Sequence, residues 1–275
     1  MKAGGPLMNA PDGTAYDLHG PEDAPAIALI HGLGLCRHLW APHMPVLSAS
    51  YRVVNYDLYG HGDSAPPPPP SQACLSVYAE QLAGLLDHLG IGQAAVVGFS
   101  IGGMINRRFA LDYPDRLWAL AILNSPHDRG EKAQRLVEER ARNVREQGAL
   151  STMDAALARW FTPGFRAARP DAMQQVRDWR VQAEPESYAQ AAWVLANGVR
   201  ELIRPPEPIK TPALVMTCEH DSGSTPEMSH AIAAEIPGAA TVILPRLQHL
   251  GLTEQPSAFT GPVLQFFDRL SDAQD

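Results

Sequence analysis

One short stretch of sequence limits the fold of this chain more than any other. It reads Val97-Gly98-Phe99-Ser100-Ile101-Gly102-Gly103 and joins the apolar run Ala94-Ala95-Val96-Val97 to helix formers at 104–113. Small and β-branched residues in a short apolar run are typical of a buried parallel strand. Glycines on both sides of the serine permit a sharp strand-to-helix turn. The stretch therefore predicts a turn that projects the Ser100 hydroxyl from the carboxyl end of a strand.

The Gly-x-Ser-x-Gly turn has two other interpretations, a purely structural bend and a phosphate cradle. Neither Gly-x-x-x-x-Gly-Lys-Ser/Thr nor Gly-x-Gly-x-x-Gly is present at this turn, which weakens the phosphate interpretation. Backbone N–H groups at the start of the following helix would lie beside the hydroxyl and favour developing negative charge. The local sequence thus favours a nucleophilic serine.

Polar clusters follow four other strand-like runs. The runs are 26–30, 51–56, 213–217 and 241–244, and the clusters after them are His31-Gly32-Leu33-Gly34, Asp57-Leu58-Tyr59-Gly60-His61-Gly62-Asp63-Ser64, Cys218-Glu219-His220-Asp221 and Gln248-His249-Leu250-Gly251. Because the carboxyl ends of parallel strands meet at one edge of a sheet, we expect these clusters to gather there.

Together these motifs resemble the α/β-hydrolase superfamily over nearly the whole chain. The order Ser, Asp, His is that of its triad. Within the superfamily the chain is most similar to 3-oxoadipate enol-lactonase-like hydrolases of carboxylic esters and lactones, to which Arg159-Trp160-Phe161-Thr162 and residues 185–192 contribute. The resemblance implies an α/β fold with a mostly parallel central sheet flanked by helices.

A long helical region interrupts the strand pattern. Helical patterns at 129–147, 152–161, 171–182 and 186–199 are separated by glycine and proline, which end helices and turn the chain. Inserted after the sixth strand of a hydrolase core, this region would form a helical cap. We therefore predict a core of residues 1–125 and 209–275 and a cap of residues 126–208.

The resemblance also implies the site residues. Ser100 would be the nucleophile, and His249 the base, because it follows the last strand. Asp221 would orient that histidine, although Asp before Ser-Gly also suits a plain turn, and Glu219 is the alternative acid. The oxyanion would bind the backbone N–H groups of Leu33 and Ile101.

The cap offers three candidates for the substrate pocket, His127, Arg159 and Trp160. An inward arginine, Arg159 or Arg180, could bind a substrate carboxylate, whereas most cap arginines are expected on solvated helix faces. The cap tryptophans could instead fix the cap to the core or to a dimer partner.

These residues predict a cofactor-independent serine hydrolase that cleaves a small carboxylic ester or (enol-)lactone through an acyl-enzyme. Open alternatives with the same triad are a C–C bond hydrolase of ring-cleavage products, an amide hydrolase and a perhydrolase. Outside enzymes, a small-ligand receptor on the same fold stays open, because fold does not dictate function. No metal is expected, because no His-Glu-x-x-His or carboxylate cluster is present.

Composition limits the partners of this 275-residue chain. A net charge of −8 disfavours nucleic acid and anionic membrane surfaces, and allows a small-molecule substrate and a homodimer. No apolar run approaches the roughly 20 residues that span a bilayer, and the first twelve residues lack a signal-peptide core. With three scattered cysteines, the chain is expected to be cytoplasmic.

Overall fold

A single sheet organises the molecule. The computed structural model describes residues 5–69 and 71–272, and in these ranges eight strands pair in the order β1-β2-β4-β3-β5-β6-β7-β8. β1 and β2 pair antiparallel, and β2 is antiparallel to β4, whereas all later pairs are parallel. The strands are β1 (Met8–Asn9), β2 (Ala15–His19), β3 (Ala26–Ile30), β4 (Arg52–Tyr56), β5 (Ala94–Phe99), β6 (Leu117–Leu123), β7 (Ala213–Cys218) and β8 (Ala240–Leu244).

Helices cover both faces of the sheet and fill the connection between β6 and β7. They are α1 (Met44–Leu47), α2 (Leu75–His88), α3 (Ile101–Asp112), α4 (Gly130–Gln147), α5 (Met153–Trp160), α6 (Pro163–Ala168), α7 (Pro170–Gln182), α8 (Pro185–Asn197), α9 (Pro226–Glu235), α10 (Gly251–Glu254) and α11 (Pro256–Asp272). Short 3₁₀ turns lie at Arg37–Trp40, Pro114–Arg116, Ala149–Thr152 and Gly198–Leu202.

Alternation along the strands divides the core between the two faces. In β3, Ala28 and Ile30 pack with α2 and α3, while Ile27 and Leu29 pack with α1 and α11. All five residues of β3 are buried, as expected for a strand covered on both sides. This packing holds the carboxyl ends of β3, β5, β6, β7 and β8 together at one edge.

The fold class predicted from the sequence is confirmed, with local differences. The elements for which the sequence analysis gave no range include β1, β2 and α6, as well as α1, α2, α9, α10 and α11 in the core. Helix α8 ends at Asn197, two residues earlier than expected. Helices α4 to α8, here called the cap helices, occupy the predicted cap segment between β6 and β7. The division of the chain into core and cap domains stays a prediction, and residues 1–4, 70 and 273–275 of that core lie outside the described residues.

The cap helices touch the sheet edge at two glycines. The Glu184 N–H donates to the Gly60 carbonyl at 2.9 Å, and a Cβ on Gly60 would lie 2.1 Å from the Cβ of Ser187. A Cβ on Gly34 would lie 2.7 Å from the Tyr188 ring. Both glycines have positive φ, so side chains are excluded there by backbone conformation as well as by space. Across the described ranges, no helix has the length and apolarity to cross a bilayer.

Candidate active site

The turn between β5 and α3 is strained at Ser100. This serine has φ 59° and ψ −114°, a left-handed conformation that is uncommon for residues other than glycine. A Cβ on Gly98 would lie 2.1 Å from the Gly102 carbonyl oxygen, and one on Gly102 would lie 2.5 Å from that of Ile30. Both glycines of the motif are therefore required by close backbone packing. The Ser100 N–H donates to the Leu123 carbonyl at 2.8 Å, which holds the turn against β6.

The structure brings Ser100, His249 and Asp221 together. The His249 Nε2 lies 3.2 Å from the Ser100 Oγ, and the His249 Nδ1 lies 2.6 Å from the Asp221 Oδ2. In sequence, His249 lies 149 positions after Ser100 and 28 positions after Asp221. The parallel sheet brings the three together because each follows the carboxyl end of a different strand. This is the geometry of a nucleophile, a base and an orienting acid.

The environment of Asp221 keeps it ionised. Burial raises the pKa of this carboxyl, but the charge of His249 and hydrogen bonds from His249, Asn124 and Gly223 outweigh burial, so the pKa lies below its ordinary value. Its Oδ1 also accepts the N–H of Ser224 at 3.0 Å. Because an ionised carboxylate only accepts, the proton of His249 lies on Nδ1, and Nε2 is free to accept from the Ser100 hydroxyl.

Asn124 supports this arrangement, a role not predicted from the sequence. It lies directly after β6 with φ 47°, and its Nδ2 donates to the Asp221 Oδ2 at 2.8 Å. The same Nδ2 lies 3.3 Å from the Thr217 Oγ1. The sequence did contain a signal for this role, because Asn124 is a polar residue directly after a buried strand, as are the polar clusters that were predicted to lie at this edge.

Glu219, the alternative acid, points elsewhere. Its Oε2 accepts the Arg246 N–H at 2.8 Å and lies 3.9 Å from the ring of His220. Its side chain is about half exposed, at 49%. Only Asp221, of these two carboxylates, contacts His249.

The two predicted oxyanion donors lie on adjacent turns. Ile101 is the first residue of α3, where a backbone N–H has no partner within its helix, and Leu33 lies in the turn after β3. His31 holds that turn from beneath. Burial lowers the pKa of His31 to about 4, so it is neutral; it bonds the Gly32 carbonyl through Nδ1 and accepts the Leu58 N–H through Nε2.

Asp57 and Ser64, in the polar cluster after β4, stabilise that turn and do not contact the Ser100 hydroxyl. Asp57 pairs with Arg37, and accepts the Asp63 N–H at 3.0 Å. The Ser64 Oγ donates to the Asp57 carbonyl at 2.7 Å. Among the described residues, no group of three or more His, Cys, Asp or Glu side chains could hold a metal ion.

A cavity of about 410 Å³ opens above Ser100, between the sheet edge and the cap helices. Ser100, His249, Leu33, Arg159 and Trp160 all line it. The ring centroids of Trp160 and His249 lie 6.0 Å apart, which places the tryptophan over the histidine.

His127 does not line this cavity, contrary to the sequence prediction. Its Nε2 lies 3.1 Å from the Glu235 Oε1 on α9, and the side chain is buried. The carboxylate partner draws the imidazole towards α9. Of the other cap tryptophans, Trp179 is buried in the core and Trp193 is 44% exposed, and neither lines the cavity.

The family model of the alpha/beta hydrolase fold matches residues 25–256. The chain belongs to the α/β-hydrolase family. The match covers both β5 with its turn and the strands that precede Asp221 and His249, so this α/β-hydrolase has the whole candidate site within the family's fold.

Individual relatives of this α/β-hydrolase are hydrolases. A 3-oxoadipate enol-lactonase of Acinetobacter baylyi is 30% identical over 249 residues, 90% of each chain. The solved enol-lactonase of Burkholderia xenovorans is 31% identical, with a TM-score of 0.85 over 96% of this chain and 100% of that one. A thermophilic esterase from Thermogutta terrifontis is 28% identical, with a TM-score of 0.82 over 94% and 93% of the two chains. The chain is therefore an enzyme, a hydrolase of this fold.

Proposed function

We propose that this hydrolase cleaves small carboxylic esters or lactones through an acyl-enzyme on Ser100. The observation that carries the proposal is the continuous hydrogen-bonded path from the Ser100 Oγ through His249 to Asp221, at 3.2 and 2.6 Å, on the wall of a cavity large enough for a small acyl compound. The names of the relatives, enol-lactonase and esterase, support the same reaction class.

The mechanism follows from the order of the contacts. His249 Nε2 removes the Ser100 proton as Oγ attacks the carbonyl carbon, and the carbonyl electrons move to oxygen. The N–H groups of Leu33 and Ile101 bind that oxyanion. Collapse breaks the C–O bond to the leaving alcohol, which takes the proton from His249; in a lactone the alcohol remains tethered. Water, deprotonated by His249, then attacks the acyl carbonyl carbon. Collapse of that intermediate breaks the bond to the Ser100 Oγ, which takes the proton back from His249, and the acid product leaves.

Two measurements test the proposal. A panel of short acyl esters, lactones and ring-cleavage diketones should show turnover of esters or lactones at least tenfold above that of the diketones. An aryl phosphonate should bind once per chain, and peptide mass spectrometry should place it on Ser100, because its phosphorus takes the position of the attacked carbon. Turnover of the diketones alone would assign C–C cleavage instead, and an unlabelled Ser100 would overturn the nucleophile.

Asp221→Asn should reduce kcat by about 10⁴-fold, as the corresponding change does in other triads. The amide would present N–H groups to His249 Nδ1, which favours the tautomer that cannot accept from Ser100. Glu219→Gln is the matched control; because Glu219 is half exposed and does not touch His249, kcat should stay within about threefold of the wild type. Steady-state kinetics of both variants checks this, and a larger loss in Glu219→Gln would move the acid to that residue.

A further inference from the structure

The charge of the cavity is opposite to that of the whole chain. The chain carries a net charge of −8. Of the described residues that line the cavity, four are arginines (Arg129, Arg140, Arg159 and Arg180) and only Asp221 is acidic. A cavity lining with this excess of positive charge attracts anions.

Arg180 is the most buried of the four and has no acidic partner. Its exposure is 2%, and neither a hydrogen bond nor an ion pair joins its side chain to any residue that the structure describes. Arginine stays charged in proteins, although burial lowers its pKa here. A buried charge is normally paired, because removing it from water is costly. The protein therefore keeps a buried cation in its cavity without supplying an anion for it.

Aromatic rings hold the Arg180 guanidinium in place. Its Cζ lies 4.9 Å from the ring centroid of Trp160 and 5.5 Å from that of Tyr188. Such contacts with ring faces orient the group and leave its N–H edge available. The side chain also rests on Gly34, where an added Cβ would lie 3.0 Å from Nε. Gly34 directly follows Leu33, so the guanidinium lies beside the turn that carries one oxyanion donor.

Arg159 adds a second unpaired guanidinium on the same wall. It is half-buried, forms no ion pair with a described residue, and has its pKa lowered by burial and by the charges of Arg140 and Arg180. Arg129 differs, because it donates to the Leu195 carbonyl at 2.9 Å and to the Ala196 carbonyl at 3.3 Å. One anion bound between the Arg159 and Arg180 guanidinium groups would reduce the electrostatic repulsion between them.

We propose that the acyl part of the substrate carries a free carboxylate, bound by Arg180 with the help of Arg159. This rests on the proposed ester or lactone hydrolysis and defines its substrate class. The planar guanidinium offers paired N–H groups that match both carboxylate oxygens. Arg180 contacts Gly34, next to Leu33, and it also contacts Trp160, which lies beside His249. A carboxylate bound to Arg180 would therefore lie close to the scissile carbonyl, so both groups belong to one short acyl chain.

The test compares two esters that differ only in charge. Monomethyl glutarate and methyl glutaramate have the same chain length, and a neutral amide replaces the carboxylate in the second. The wild type should show a kcat/KM at least tenfold higher for the carboxylate, and Arg180→Gln should reduce that ratio to within about twofold of one. Arg180→Lys should keep an intermediate ratio, because it retains charge without the planar fork.

Arg177→Gln is the matched control on the same helix. Arg177 pairs with Asp154 and does not line the cavity, so its loss should leave the ratio at the wild-type value. Equal loss of the ratio in both variants would mean that general charge, and not Arg180, selects the substrate. A wild-type ratio near one would overturn the proposal.

Measuring ligand binding to the Ser100→Ala protein tests carboxylate recognition independently of the proposed reaction. This experiment does not depend on whether an Arg180 variant folds. Glutarate should raise the Tm of that protein and bind at least tenfold more tightly than glutaramide or inorganic phosphate. Equal binding of all three would overturn carboxylate recognition. If the wild type cleaves neither ester nor lactone while glutarate still binds selectively, the proposed reaction fails and the carboxylate site stands.

Discussion

Ser100→Ala should lower kcat for the best ester or lactone by about 10⁵- to 10⁶-fold while the protein remains folded. Loss of a triad nucleophile has effects of this order, because the remaining groups cannot form the acyl-enzyme. Among the residues that the structure describes, the change removes only the hydrogen bond between Oγ and His249 Nε2. The Leu123 carbonyl still binds the backbone N–H at position 100. Steady-state kinetics and the Tm of the purified variant test the expectation.

Ser229→Ala is a suitable control for that experiment. Ser229 is fully buried on α9, and its Oγ has no hydrogen-bond partner among the residues that the structure describes. Its removal should leave kcat within about twofold of the wild type. A Ser100→Ala protein that retained more than a few per cent of the wild-type rate would exclude Ser100 as the nucleophile.

His249→Gln should lower kcat to a similar extent, about 10⁵-fold or more. Glutamine has a similar reach and keeps much of the packing against Phe99 and Trp160, but it cannot take the proton from Ser100. Labelling by the aryl phosphonate should slow in parallel, because attack by the serine needs the same base. Rates of turnover and of labelling are the two measurements.

His127→Gln provides the comparison for His249. The structure places His127 on Glu235, outside the cavity, and a glutamine can keep that hydrogen bond. The variant should hydrolyse its substrates within about threefold of the wild-type rate. A selective change in substrate preference would instead restore His127 to the pocket wall.

Elements with strong local signals were predictable from the sequence. The bounds of β3 match the apolar run 26–30, and the glycine pattern around Ser100 identified the strained turn, because only glycine tolerates the neighbouring backbone at 2.1 and 2.5 Å. The ends of the strands then placed Asp221 and His249 at the same edge as Ser100. The positions of Asp221 and His249 depend on the strand order of the sheet, and the order of the motifs along the chain was enough to predict that both lie near Ser100.

Features that arise from tertiary packing were not predictable. Pro163 and Gly164 suggested a break between helices, but Thr162 caps a short helix there by accepting the Phe165 N–H at 3.3 Å. The contact between Asn124 and Asp221 depends on the pairing of β6 with β7, which the local sequence around Asn124 does not indicate. His127 was expected in the pocket, and its contact with Glu235 comes from α9, over a hundred positions later in sequence.

Gly102 has a consequence that reaches beyond the turn in which it lies. It is the point where α3 touches β3 backbone to backbone, and the missing Cβ would lie 2.5 Å from the Ile30 carbonyl oxygen. Leu33 follows β3 and Ile101 is the first residue of α3. The separation of β3 and α3 at Gly102 therefore sets the distance between the backbone N–H groups of Leu33 and Ile101. The single hydrogen atom that glycine has in place of a side chain therefore sets the spacing of the proposed oxyanion site. A methyl group at this position would widen that site without touching the substrate.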